Sequence, residues 1–196
     1  MAHRHTPFGF EEDGFSKHGR LLETNPWGVP VAQAWSQVGL LFTLINEFNL
    51  AGVIEIGLFR GGLADMLIRR RERFPDFQYL GFQKDGEELD GHVRGKPGVV
   101  VADCFAAESI AAIAAFIAAA PRPILVYCDG GNKPREMNTY APMLRRGDYL
   151  IGHDYPGEIT DASLRVFGDT FPFMREQEGA FIRKEYGLSL WMRARQ

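Results

Sequence analysis

Asp129, His153 and Asp154 are the residues of this chain best suited to hold a divalent cation. Asp129 follows the apolar run 123–128, and His153 and Asp154 follow the run 149–152. Two consecutive strands would therefore deliver all three side chains to one edge of a sheet. Oxygen-only sites favour Mg2+ or Ca2+, whereas an imidazole also admits Mn2+, Fe2+ or Zn2+; Mg2+ or Mn2+ is the expectation, with other ions open. The alternative is that His153 only orients Asp154. Between the two runs lies Asp129-Gly130-Gly131-Asn132-Lys133-Pro134-Arg135-Glu136. Two glycines let the chain turn closely beneath a ligand, and Lys133 then reaches over the same edge. A lysine beside a bound cation has its pKa lowered and can act as a general base; the alternative is a solvated lysine at a helix start. Asp129, Lys133 and His153 are the catalytic candidates.

A second group of residues suits a small-molecule cofactor. Val53-Ile54-Glu55-Ile56-Gly57-Leu58-Phe59-Arg60-Gly61-Gly62 is an apolar strand running into a glycine turn, and a helix-forming stretch, 63–73, follows. Gly57, Gly61 and Gly62 offer backbone angles closed to other residues and leave no Cβ in a ligand's way. Glu55 offers a carboxylate to a cationic or hydroxylated group. The spacing is G-x-x-x-G-G, not the G-x-G-x-x-G of dinucleotide sites, and a carboxylate beside the loop suits a pyrophosphate poorly. Gln83 and Asp103 stand at corresponding positions past two further apolar runs. One aspartate past a strand is commonly a helix cap. A series of polar residues, each past its own strand, points to a shared site.

The elements that must position these residues follow from apolar periodicity. Residues 31–48 carry Val31, Ala34, Trp35, Val38, Leu41, Phe42 and Ile45 at helical spacing. Strands and helices then alternate: strand 53–57, helix 62–73, strand 77–82, strand 99–101, an alanine-rich helix 106–120, strand 123–128, helix 135–144, strand 149–152 and helix 161–167. The alternation predicts an α/β fold, a Rossmann-like, doubly wound, mostly parallel seven-stranded sheet with helices on both faces. Stretches 173–182 and 186–193, joined through Lys184-Glu185 with no helix between them, predict an antiparallel C-terminal hairpin. Residues 1–30 read as irregular, interrupted by Pro7, Gly9, Gly14, Gly19, Pro26, Gly28 and Pro30. Phe8, Phe10, Phe15 and Trp27 nonetheless make that segment too aromatic for a disordered tail. It is expected to pack on a single domain formed by residues 31–196.

Bulk properties narrow the partners. A chain of 196 residues fits one domain with a full core. A net charge of −3 gives no basic surplus for a nucleic-acid backbone. No apolar run approaches the ~20 residues a membrane span requires, and the N-terminus shows no secretory h-region. Cys104 and Cys128 do not make a disulfide framework, so a reducing, cytoplasmic location is expected. The edge hairpin and aromatic N-terminus favour self-association, which leaves a homo-oligomer open.

The order and separation of three pieces carry a resemblance. They are Glu55-Ile56-Gly57…Gly61-Gly62, the Asp129 turn, and Leu144-Arg145-Arg146-Gly147-Asp148-Tyr149 leading to His153-Asp154-Tyr155. Over about residues 31–195 the chain resembles the class I S-adenosylmethionine-dependent methyltransferases. It is most similar to the branch containing cephalosporin hydroxylase-like, rhamnosyl and macrocin O-methyltransferase-type proteins. The resemblance implies that Glu55, Gly57 and the Gly61-Gly62 turn line the methionine half of S-adenosylmethionine, beside Asp129. It implies that Gln83 faces the ribose hydroxyls and that Asp103 approaches the adenine amine. Asp129, His153 and Asp154 would match the metal positions of the metal-dependent O-methyltransferases, in which the cation holds the acceptor oxygen near the sulfonium methyl and a base removes its proton. The implied substrate is a hydroxylated small molecule or sugar. The chain departs from the family pattern at Gln83 (usually an acid), at Leu63 (often a small hydroxyl residue) and at His153 (more commonly acidic). Two further readings use the same residues: a non-catalytic binder of a small molecule or partner on this fold, and a metal-dependent hydrolase with Asp129, His153 and Asp154 around an activated water.

Overall fold

The computed structural model describes residues 12–15, 21–155, 157–164 and 189–193. Three short strands, β1 (Glu12–Phe15), β2 (Leu21–Thr24) and β3 (Pro30–Val31), precede helix α1 (Trp35–Glu47). Then come β4 (Gly52–Ile56), α2 (Gly62–Arg73), β5 (Gln78–Gln83), β6 (Val99–Val101), α3 (Ala107–Ala119) and β7 (Ile124–Cys128). They are followed by α4 (Lys133–Tyr140), β8 (Tyr149–His153), α5 (Asp161–Leu164) and β9 (Ser189–Arg193). The main sheet has the order β6-β5-β4-β7-β8-β9. The first five strands in that order are parallel, and β9 runs antiparallel to β8, pairing Tyr149 with Arg193.

Every residue of β4 and of β7 is buried, as expected of central parallel strands covered on both faces. On one face Ile54, Ile56, Phe82, Val126, Cys128 and Leu150 pack against Ile113 and Ile117 of α3 and Met137 and Tyr140 of α4. On the other, Val53, Tyr79, Leu125, Tyr127 and Ile151 pack against Leu41 and Ile45 of α1 and Leu63, Ala64 and Leu67 of α2. The alanine-rich α3 meets the sheet through Ser109, Ile113 and Ile117, one residue per turn. No helix among the described residues is long and apolar enough to cross a membrane.

Sequence and structure differ in four places, the first being the helix expected from residue 31, which begins only at Trp35 because Val31 is taken up in β3. Within residues 1–30, read as irregular, β1, β2 and β3 form a three-stranded antiparallel sheet. Strands of four, four and two residues are too short to show an alternation. Buried Asn25 pins this segment to α2, donating to the Gly62 carbonyl (3.1 Å) and to Asp65 Oδ2 (2.9 Å). Helix α4 starts two residues earlier than expected because Asn132 Oδ1 accepts from the Arg135 amide at 3.1 Å, an N-cap just ahead of Pro134. The sheet has six strands among the described residues, against seven expected. The stretch 173–182 lies outside the described residues, as do Phe8, Phe10 and residues 165–167.

An ion pair between buried Asp148 and half-buried Arg145 closes the base of the sheet beneath the site. Asp148, fully buried, accepts from the Ile124 amide (3.0 Å), from the Arg145 amide (2.9 Å) and from Arg145 Nε (2.9 Å). It thereby joins the start of β7 to the turn entering β8. Removing Asp148 leaves the Ile124 and Arg145 amides and the Arg145 guanidinium without their acceptor. Asp148→Ala is expected to cost about 3–5 kcal/mol in urea unfolding; a loss within experimental error of zero would contradict this account.

Candidate functional site

The chain reverses its direction of travel across the sheet between β4 and β7, and ligands of open α/β sheets bind beyond the strand ends at that point. The two strand ends nearly touch there. Asp129 donates its amide to the Ile56 carbonyl (2.9 Å), and Gly57 has φ +87°. A Cβ on Gly57 would lie 2.5 Å from the Asp129 carbonyl oxygen, so both the backbone angle and the space demand glycine. Beyond these ends opens a cleft of about 810 Å3. Its lining includes Gly57, Gln83, Asp103, Asp129, His153 and Asp154, one or two residues from each of the five parallel strand ends.

The floor of the cleft under β7 and β8 is a dense charge cluster. His153 Nδ1 lies between two carboxylates, 3.1 Å from Asp129 Oδ1 and 3.0 Å from Asp154 Oδ1. One ligand atom from each of Asp129, His153 and Asp154 falls within 4.8 Å of the others, spacing that a single cation could bridge. Lys133 Nζ stands in the same cluster, 3.0 Å from Asp154, 2.8 Å from Glu158 and 3.7 Å from Asp129, and it donates to the Gly130 carbonyl (3.1 Å). Glu136 fixes the intervening turn by accepting from the Gly130 and Asn132 amides, both at 3.1 Å. Asp154 adopts φ +62°, a left-handed conformation that aspartate tolerates better than most residues.

Charge balance decides the protonation states. Burial alone would lower the imidazole pKa of His153, but the Asp129 and Asp154 carboxylates outweigh it and raise it to about 9. His153, then Lys133, hold the Asp154 carboxyl well below the usual range against the effect of burial. Burial also disfavours the Lys133 ammonium, but Glu158, Asp129 and Asp154 prevail and its pKa is raised. The expected lowering, which requires a cation beside Lys133, is the reverse of what its carboxylate neighbours do.

Several cofactor candidates do other work. Glu55 is fully buried on the α1/α2 face and does not line the cleft; its Oε2 accepts from the Tyr79 hydroxyl (2.7 Å). Its position on β4 fixes this, because strand alternation sends Ile54 and Ile56 to the other face. Gly61 and Gly62 also lie off the cleft: Cβ atoms there would meet Val93 at 2.9 Å and the Pro30 carbonyl. Leu63 is core. Gln83 lines the cleft, but its carbonyl accepts from the Leu58 (2.8 Å) and Phe59 (3.0 Å) amides, so it shapes the loop after β4. Its amide nitrogen faces Glu88 at 3.2 Å, which places a carboxylate where Gln83 was expected to act. Asp103 caps the Phe105 amide (2.9 Å) and sits 3.5 Å from Lys84 at the rim.

Four residues of the site escaped the sequence reading. Glu88 and Glu158 lie on irregular segments with no pattern to reveal them. Gln33 Nε2 donates to Asp129 Oδ2 (2.7 Å), and Gln37 Oε1 faces His153 Nε2 (3.1 Å). Gln37 also accepts from the Ala34 amide (3.2 Å), a helix-start contact that the spacing could have suggested.

No protein-family model matches the chain, and no curated protein does. Solved structures do. The chain is similar to the apo structure of CmcI, with 14% identity, a TM-score of 0.67, and coverage of 86% of this chain and 75% of that one. It is equally similar to a Mg-SAM structure of CmcI (14% identity, TM-score 0.66, 86% and 75% coverage). Cofactor-bound Rv0187 from MTB shares the arrangement at 14% identity and a TM-score of 0.52, over 85% of this chain and 83% of that one. These similarities establish a Rossmann-like α/β fold, in agreement with the resemblance read from the motifs.

Glu55 has a consequence of its own. Burial raises its pKa to about 8 from 4.5, partly opposed by the Tyr79 hydroxyl. Between those values the native state keeps a proton that the unfolded chain has lost. Stability therefore falls as pH rises through that window, by up to about 1.4 kcal/mol per unit. Glu55→Gln should abolish most of this slope in urea unfolding and exceed the parent's stability at pH 8 by a few kcal/mol. Parallel pH profiles for the two proteins would contradict a buried, protonated Glu55.

Proposed function

We propose that the chain is an S-adenosylmethionine-dependent methyltransferase acting on a hydroxyl of a small molecule or sugar, assisted by a divalent cation. The observation that carries this reading is a single cleft that joins Gly57, Gln83 and Asp103 to the Asp129-His153-Asp154 cluster. The same fold is found in a protein solved with Mg-SAM. At about 810 Å3 the cleft has the size of a cofactor-plus-substrate site.

The residues present fit both groups. Apolar rings (Phe59, Phe82, Phe105) line the cleft together with the acids Glu88 and Asp103, as an adenosyl moiety with its diol would require. Bound there, S-adenosylmethionine supplies a sulfonium methyl open to in-line displacement by an ionised hydroxyl. Asp129, His153 and Asp154 would hold the cation, which supplies Lewis acidity that favours that ionised form. The gathering of His153 Nδ1 and the Asp129 and Asp154 carboxylates within 4.8 Å of one another is the feature of this chain that fits an ion best.

The chain's own groups supply orientation and proton control. The Gly57 loop, held by Gln83, leaves the cleft open next to Asp129. Lys133 lies 3.0 Å from Asp154 and is the group we assign to take the acceptor's proton once it has released its own beside a cation on Asp154. With only its carboxylate neighbours it is held as the ammonium, so its service as a base depends on what else neutralises Asp154 and Glu158. A binder without turnover is the second reading, favoured by Glu55 and Gln83 because neither offers a free charge to a ligand.

Isothermal titration with S-adenosylmethionine and its demethylated product, with and without Mn2+ or Mg2+, tests the assignment. Binding of either form is expected, and failure of both to bind would remove the proposal. Methyl transfer to a hydroxylated acceptor should fall at least about a hundredfold in Asp129→Ala, since misplaced reacting groups carry losses of that order. Binding with no transfer to any acceptor would favour the second reading.

A further inference from the structure

His153 has two ring nitrogens, and its surroundings distinguish them. Nδ1 faces the Asp129 and Asp154 carboxylates, while Nε2 faces Gln37 Oε1 at 3.1 Å. A glutamine amide can present either its oxygen or its nitrogen to a ring, so this contact alone leaves the tautomer open. The Ala34 backbone amide removes the ambiguity. It can only donate, and it lies 3.2 Å from the same Gln37 oxygen. That end of the side chain must therefore be the carbonyl, which can only accept. Nε2 must then carry hydrogen, and in the neutral ring Nδ1 carries the lone pair.

Gln33 does the same for the neighbouring carboxylate. Its Nε2 donates to Asp129 Oδ2 at 2.7 Å, and the other oxygen, Oδ1, is the one turned to His153 Nδ1 and Lys133. Both glutamines flank the start of α1, which packs on the sheet through Leu41, Leu44 and Ile45. One short segment thus grips two of the three candidate ligands from behind.

We infer that Gln37 and Gln33 are positioning residues that make His153 a ligand through Nδ1 alone and leave Asp129 to ligate through Oδ1. This inference rests on the cation reading proposed above. Histidines that bind metal donate their other ring N–H to an acceptor, and loss of that acceptor typically weakens metal binding 10–100-fold. Here the acceptor is a neutral amide whose orientation is set by the helix start, so the ring is aligned before any ion arrives.

Two measurements on the full chain test it. In the first, 15N NMR of the His153 ring is recorded on the wild type with and without Zn2+. The expected result is an Nε2 that stays protonated while the Nδ1 resonance moves on ion addition. In the second, Mn2+ affinity and cofactor-product affinity are compared for wild type, Gln37→Leu and Gln37→Glu, with thermal unfolding as the check on folding. Gln37→Leu is expected to bind Mn2+ about 10–100-fold more weakly, with cofactor-product affinity unchanged. Gln37→Glu, which keeps an acceptor oxygen for both donors, should retain the affinity. An Nε2 resonance that moves in place of Nδ1, or a folded Gln37→Leu that binds Mn2+ as the wild type does, overturns this inference and leaves the cation reading standing. A wild type that binds neither ion overturns both.

Discussion

Three carboxylates, Asp129, Asp154 and Glu158, share the floor of one cleft with the ammonium of Lys133 and the ring of His153. Like charges so close repel one another, and the positive charge fixed among them offsets that repulsion. Lys133 occupies the first turn of α4, where the helix dipole disfavours a cation. The carboxylates are what make that position tolerable. The same balance holds a proton on His153 and keeps Asp154 ionised. A divalent ion entering here would meet ligands already gathered, but it would compete with a proton and an ammonium.

The backbone beneath the cluster is equally constrained. Gly57 and Asp129 approach so closely that no side chain fits between the ends of β4 and β7. Glu136 and Gln83 then tie the two adjoining loops through backbone amides. These ties fix the loops at the strand ends around the cleft, which is lined by residues from the ends of all five parallel strands. The fold carries the site by topology, and local hydrogen bonds set its shape.

Much of this was legible in the sequence. The alternation of apolar runs and helical spacing yields the parallel strands and helices α1 to α4, with boundaries off by a few residues at most. The convergence of Asp129, His153 and Asp154 follows from placing each past its own strand, and the structure brings them together as that logic requires. Glu55 did not follow, because the strand's alternation outweighs its nearness to the loop and turns it into the core. Gly61 and Gly62 look like ligand-contacting glycines but make room for Val93 and Pro30, contacts between segments far apart in sequence. Gln33 was illegible for the same reason, its partner lying 96 residues away; for Gln37 the spacing marks the contact with Ala34 but not the one with His153, 116 residues away.

The central claim is that one cleft holds a methyl-donor cofactor and a cation side by side. The most direct measurement is an anomalous difference map from crystals grown with the demethylated cofactor and Mn2+. The account predicts cofactor density along Gly57, Gln83 and Asp103, and an anomalous peak bounded by Asp129, His153 and Asp154. Cofactor density with no peak at that cluster, or a cleft without cofactor, would contradict it.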